Sequence, residues 1–206
     1  MLRPRAPAVS FAAALGALAL WGGAAWSEPG DVVRAEVLPG WTTDAGTRMA
    51  ALRLSLAPGW KTYWRAPGDA GIPPSFDWTG SRNLGGVVFH WPAPEVFETY
   101  GIRTIGYADE LVLPIELQAE RVGAPILLEA ELDLGVCETV CIPAQVSFSA
   151  EIAGPDAMDP RIRDALARRP LAEEAAGVDE VACDFTAIDD GMRLDARIEM
   201  PRIGAN

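Results

Sequence analysis

Apolar and polar positions alternate strictly over three stretches of the chain. Leu52, Leu54 and Leu56 alternate with Arg53 and Ser55; Leu128, Ala130, Leu132 and Leu134 alternate with Glu129, Glu131 and Asp133; Val146, Phe148, Ala150 and Ile152 alternate with Ser147, Ser149 and Glu151. A period of two is the signature of half-buried strands, one face inward and one face wet. Val87–Trp91 and Leu111–Leu117 are further strand candidates, and Pro and Gly punctuate the gaps. Several short strands separated by turns predict an all-β chain folded as a β-sandwich.

Trp60–Asn83 reads differently. Turn residues dominate it (Pro67-Gly68-Asp69, Gly71, Pro73-Pro74, Gly80), and it carries Trp60, Tyr63, Trp64 and Trp78. Long loops in compact domains are often functional, but composition alone favours aromatics that plug one end of the sandwich.

Beyond the sandwich the period changes. Asp159 can cap a helix, Pro160 suits its first position, and Ile162, Ala165 and Leu166 have helical spacing. Leu171–Ala176 is expected to add a turn closed by Gly177. Strand alternation then returns in Cys183, Phe185 and Ala187, and in Met192, Leu194, Ala196 and Ile198, around an Asp189-Asp190-Gly191 turn. A lone hairpin is too small to fold by itself. The predicted organisation is therefore a β-domain over 28–154, a helical connector over 155–177 and a hairpin over 178–206, which is expected to begin a second β-domain cut off at Asn206.

The amino terminus has a different character. Arg3 and Arg5 precede an apolar stretch from Phe11 to Trp26, and Ala25-Trp26-Ser27 offers small residues where a signal peptidase reads. The stretch is short for a span of about 20 residues, so residues 1–27 are expected to be a cleaved signal peptide delivering a soluble protein to the periplasm, without membrane insertion of the mature chain. Cleavage would leave 15 basic against 29 acidic residues, a net charge of −14. Nucleic-acid binding needs a positive footprint and is not expected.

Export gives the three cysteines meaning, because exported proteins meet an oxidising compartment. Cys137 and Cys141 lie between two predicted strands, so the simplest local structure is a hairpin with Glu138, Thr139 and Val140 in its loop. Counting by twos from Cys137 gives Gly135, Asp133 and Glu131; from Cys141 it gives Pro143, Gln145 and Ser147. Both thiols fall on the polar face, opposite one another. Opposed residues are about 4.5–5.5 Å apart at Cα, within reach of a disulfide that is not buried under the sheet.

Three uses of this pair stay open. It can be a redox couple, a hairpin staple or a pair of thiolate ligands for a soft ion such as Cu(I). Zinc would need four ligands, and the sole histidine, His90, reads as a strand residue facing water. No Lys or Arg lies between Val122 and Arg161, while Glu138, Asp133 and Glu131 are near. Negative neighbours raise a thiol pKa, which suggests a passive relay. The odd cysteine, Cys183, has no evident mate, no cofactor is expected, and with one histidine and no Ser-His-Asp set there is no evident hydrolase base.

The run Gly59-Trp60-Lys61-Thr62-Tyr63-Trp64-Arg65-Ala66-Pro67-Gly68-Asp69-Ala70-Gly71-Ile72-Pro73-Pro74 is followed by Trp91-Pro92-Ala93-Pro94, Gly106-Tyr107-Ala108-Asp109-Glu110 and Cys137-Glu138-Thr139-Val140-Cys141-Ile142-Pro143. In this order the motifs resemble the amino-terminal periplasmic region of the DsbD-type thiol–disulfide interchange proteins, in particular the suppressor-of-copper-sensitivity branch, ScsB. The resemblance spans about residues 31–154. It implies an immunoglobulin-like sandwich in which Cys137 and Cys141 are the redox couple, framed by Tyr63, Trp64, Asp69, Tyr107 and Glu138. It also implies partners: a thioredoxin-like domain of a membrane reductase, which supplies electrons, and periplasmic disulfide-exchange proteins, which receive them. The branch name adds a link to copper. Full members continue into membrane helices and a thioredoxin-like domain, so this chain would take its electrons from a separate protein or a further part.

Overall fold

The structure is a computed structural model that describes residues 32–154 and 158–202. The expected signal peptide lies outside the described residues. Ten strands build two antiparallel sheets. The first sheet has the order β1 (Val33–Thr42), β2 (Arg48–Leu56), β8 (Glu110–Ala119), β5 (Leu84–Phe89). The second runs β10 (Cys141–Ile152), β9 (Ile126–Cys137), β3 (Lys61–Gly68), β7 (Ile102–Ala108), β6 (Glu95–Thr99), with β4 (Ser75–Asp77) paired to the middle of β9.

The alternating residues face each other across one core. Leu52, Leu54, Leu113 and Ile115 from the first sheet meet Leu128, Leu132, Leu134, Val136 and Phe148 from the second. Burial of each such side chain is worth about 1.5–3 kcal/mol relative to exposure, so this layer holds the sheets together. The architecture is an immunoglobulin-like β-sandwich. Trp60, Trp64, Phe76, Trp78, Phe89 and Trp91 pack on the edge of the core.

Two expectations need correction. Trp60–Asn83 is not a long loop: β3 and β4 both lie in it, paired to β9. Their side chains carry no run of alternation long enough to announce strands; tertiary pairing supplies what local propensity does not. His90 does not face water either. It lies just past β5, its side chain 17% exposed, with Nε2 3.1 Å from Glu116 and Nδ1 3.2 Å from Nη1 of Arg169.

The predicted helix forms as α1 (Pro160–Ala167), with the Asp159 carboxylate accepting from the Arg161 N–H. Beyond connecting, it covers the outer face of the first sheet. Ile162 and Ala165 pack with Leu38, Met49, Ala51 and Val112 into a second, smaller core. This explains why β2 is buried on both faces at Met49–Leu52. After the short α2 (Glu173–Ala176), the hairpin of β11 (Glu180–Ile188) and β12 (Gly191–Glu199) forms around the expected turn, with Cys183 opposite Ala196 and exposed.

Because Ile162 is fully buried, Ile162→Ala should destabilise the protein by about 2–4 kcal/mol. Urea unfolding followed by tryptophan fluorescence reads this directly.

Candidate functional site: a disulfide at a hairpin tip

The β9–β10 ladder runs from Ile152 opposite Ile126 to Cys141 opposite Cys137. Every inward residue of β9 from Ile126 to Val136 except Ala130 is an aliphatic Ile, Leu or Val. Their burial fixes the register, since a slip of one residue would turn the whole set outward. Cys137 and Cys141 therefore end the ladder on the outer face, Cα atoms 4.1 Å apart and joined as a disulfide.

That outer face is wet along Glu129, Glu131 and Asp133, but its last two positions, Gly135 and Cys137, are buried. Here the expectation of a disulfide standing clear of the sheet is corrected. Cys137 is 1% exposed while Cys141 is exposed. The alternation told which face the sulfurs take, but not what covers that face.

The cover is Tyr63. Lys61 and Thr62 of β3 pair with Cys137 and Val136 of β9, and the Thr62 hydroxyl donates to the Gly135 carbonyl at 2.9 Å. Tyr63, the next residue along, lies over Gly135. Its hydroxyl is 2.7 Å from the Cys137 Sγ and 3.0 Å from the Cys141 Sγ. Disulfide sulfur carries no proton, so the phenol donates to the pair. Burial pushes the Tyr63 pKa up, which keeps the donor protonated at neutral pH.

Two glycines make the slot for this ring. A methyl at Gly135 would lie 3.1 Å from one edge of the ring and 2.8 Å from the Cβ of Ile72; a methyl at Gly71 would lie 2.7 Å from the other edge. Gly71 also has φ +135°, in a region open to glycine. The segment bearing Gly71 and Ile72 is tied back at its start, where the Asp69 N–H donates to the Arg103 carbonyl and the Arg103 N–H donates to the Asp69 carboxylate, at 2.9 and 3.2 Å.

The other framing residues fall elsewhere. Asp69 acts at a distance, through this tie to β7. Trp64 packs on the core, with the Arg65 guanidinium 4.7 Å above its ring. Tyr107 is buried on the opposite face of the sheet, where its hydroxyl donates to the Pro92 carbonyl at 2.8 Å and burial pushes its pKa up. Glu138 is exposed in the hairpin loop, near Gly59. A residue the sequence did not single out is also present: Lys61 is directly opposite Cys137. Among the described residues, no group of three or more His, Cys, Asp or Glu side chains could hold a metal ion.

An exposed sulfur bonded to a buried one, at the end of a rigid ladder and under a donated hydrogen bond, defines an all-β domain built for thiol–disulfide interchange. The comparisons agree. The chain belongs to the family of the N-terminal domain of the thiol:disulfide interchange protein DsbD, whose model matches residues 33–152. It is similar to the N-terminal periplasmic domain of ScsB from Proteus mirabilis, with 31% identity and a TM-score of 0.54 over 75% of this chain and 58% of that one. The chain thus spans somewhat more than half of that domain's length. The reduced N-terminal domain of Neisseria meningitidis DsbD also matches, at 20% identity and a TM-score of 0.35 over 63% of this chain and 91% of that one. No curated protein matches the chain. Among the described residues no helix is long and apolar enough to cross a membrane.

Two outcomes test the cover. Gly135→Ala should force Ile72 and the Tyr63 ring outward, destabilise the fold by about 1–3 kcal/mol, and speed alkylation of Cys137 in the reduced protein. Tyr63→Phe keeps the ring but removes the donor. A phenol donates more strongly to thiolate than to neutral sulfur, so the reduced state should lose about 1.5 kcal/mol and the midpoint potential should fall by about 30 mV.

Proposed function

We propose that this domain relays electron pairs through Cys137 and Cys141, taking them from a thioredoxin-like domain of a membrane reductase and passing them to periplasmic disulfide-exchange proteins. The unequal exposure of the two sulfurs carries this reading. A partner thiolate reaches the Cys141 Sγ. As the new S–S bond forms, the Cys137–Cys141 bond breaks and its electron pair stays on Cys137 as a thiolate. The partner's second thiolate then attacks its own sulfur in the mixed disulfide. Cys141 leaves as a thiolate and takes up a proton. The domain gains two electrons, and the partner is left as a disulfide. Run in reverse against an oxidised protein, the same steps deliver the pair.

The staple reading is weaker on energetic grounds. Closing so short a loop contributes roughly 2 kcal/mol by the chain-entropy formula, little for a fold with a core of this size. Membership of an interchange family and similarity to a periplasmic domain support export, with residues 1–27 as the cleaved leader.

The test is equilibration of the chain carrying Cys183→Ser in graded thiol/disulfide buffers, with alkylation and intact mass reporting the reduced fraction. A midpoint between about −180 and −270 mV, the range of exchange proteins, is expected. A pair that stays oxidised in every buffer would leave a staple. In the same background the Cys137→Ser thiol should form mixed disulfides with a thioredoxin-like protein supplied in its disulfide form, by attack on that disulfide with release of the partner's second sulfur as a thiolate, and Cys141→Ser, with its remaining sulfur buried, should form at least tenfold fewer.

A further inference from the structure

Exchange through Cys141 leaves a negative charge on a buried sulfur. On the outer face that sulfur shares with its neighbours, Asp133 lies beyond Gly135 and is engaged by the Gln145 amide at 2.9 Å; Glu138 stands at the tip; Asp109, in the turn after β7, accepts from the Gly59 N–H at 3.4 Å. All are acidic. Tyr63 brings a neutral hydroxyl, and Ala108, across from Lys61 on β7, brings no charge. Lys61 is the cation that the ladder sets directly beside Cys137, and it is the chain's only lysine. Opposed residues in an antiparallel pair share a face. With the disulfide closed, however, Nζ of Lys61 lies over the ring of Phe97 on β6, 4.9 Å from its centroid.

We propose that Lys61 is a mobile counter-ion for the Cys137 thiolate, held on the Phe97 ring while the disulfide is closed and moved to the sulfur when it opens; the proposal rests on the exchange reading above. A neutral disulfide gives the ammonium nothing to pair with, so a partly exposed cation–π contact suffices to hold it. When partner attack leaves the electron pair on Cys137, a full charge forms within reach of a flexible four-carbon stem. Two opposite charges at a mostly buried site then outweigh the ring. No proton is needed at this step, and the acids around the site no longer oppose the thiolate unanswered. Lys61 therefore favours the dithiol state and speeds departure of Cys137.

The single lysine makes the movement observable. In the chain carrying Cys183→Ser and isotope-labelled lysine, one ε-methylene resonance reports Lys61. It should be shifted upfield by the Phe97 ring in the oxidised protein, an effect that Phe97→Leu removes, and should lose that shift on reduction above the thiol pKa. In the Cys141→Ser, Cys183→Ser background, Lys61→Met should raise the Cys137 pKa, read by thiolate absorbance, by about one unit, a tenfold change, and Lys61→Arg should restore it. Above the higher of the two pKa values the midpoint of the intact pair should fall by about 30 mV, the tenfold step of a two-electron couple, and by progressively less as the pH drops through them. Should Lys61→Met fail to fold, Lys61→Gln, which keeps a polar end without the charge, should raise the Cys137 pKa in the same way. A lysine signal unmoved by reduction, with a Cys137 pKa indifferent to Lys61→Met or Lys61→Gln, would overturn the proposal. Neither readout needs exchange with a partner, so both stand whether or not the midpoint falls in the exchange range, and a failed relay is distinguishable from an idle lysine.

Discussion

The register of β9 is the constraint on which the rest of the site depends. Leu128, Leu132, Leu134 and Val136 are each 2% exposed or less, and the acids between them are wet. A slip of one residue would bury three carboxylates and expose those aliphatics, a penalty of many kcal/mol. With the register so fixed, three placements follow without further choice. Cys141 falls opposite Cys137, Lys61 falls opposite Cys137 on the other side, and Gly135 falls under Tyr63. The core thus sets the geometry of a site with which it shares no side chain.

What could be read from the sequence, and what could not, follows from the range of the signals. The hairpin, its loop and the opposition of the two cysteines were legible because all the relevant residues lie on adjacent strands with a clean period of two. The helix from Pro160 was legible from its cap. β3 and β4 were not: Lys61–Gly68 runs into Pro67-Gly68 without sustained alternation, Ser75–Asp77 is only three residues long, and their pairing with β9 joins segments far apart in sequence. The burial of Cys137 was illegible for the same reason. Alternation assigns a face, whereas the cover on that face arrives from β3 and the segment after it. Of the residues proposed to frame the pair, Tyr63 touches the sulfurs and Asp69 ties down the covering segment, while Trp64 and Tyr107 turn to the other side of the sheet because strand neighbours point in opposite directions. The glycine at 135 carried a usable signal, since a close backbone approach to an aromatic ring is one of the few reasons for a glycine inside a strand.

The local chemistry also differs from what composition suggests. A chain with net charge −12, acids beside its cysteines and no basic residue for a long stretch on either side reads as hostile to a thiolate. Folding changes the local balance without changing the total. One lysine and one tyrosine, both from β3, are brought beside the end of β9. Both are supplied by consecutive same-face positions of one strand, so the pairing of Lys61 and Thr62 with β9 places them together. The domain can thus remain strongly acidic overall while the two sulfurs have a cation and a donor of their own.

Unequal burial of the sulfurs answers a problem that any exchange protein faces. A fully exposed pair would react with every thiol in an oxidising compartment, and a fully buried pair would react with none. Here the aliphatic ladder and the Tyr63 ring hold Cys137 out of solvent, and only Cys141 is presented. The first attack is thereby restricted to one sulfur, and the leaving thiolate is formed where few competitors can reach it. A partner must bring its second thiol to the mixed disulfide for the transfer to finish. Selectivity in this arrangement comes less from affinity than from which sulfur can be reached, and that is decided by a tyrosine seated between two glycines.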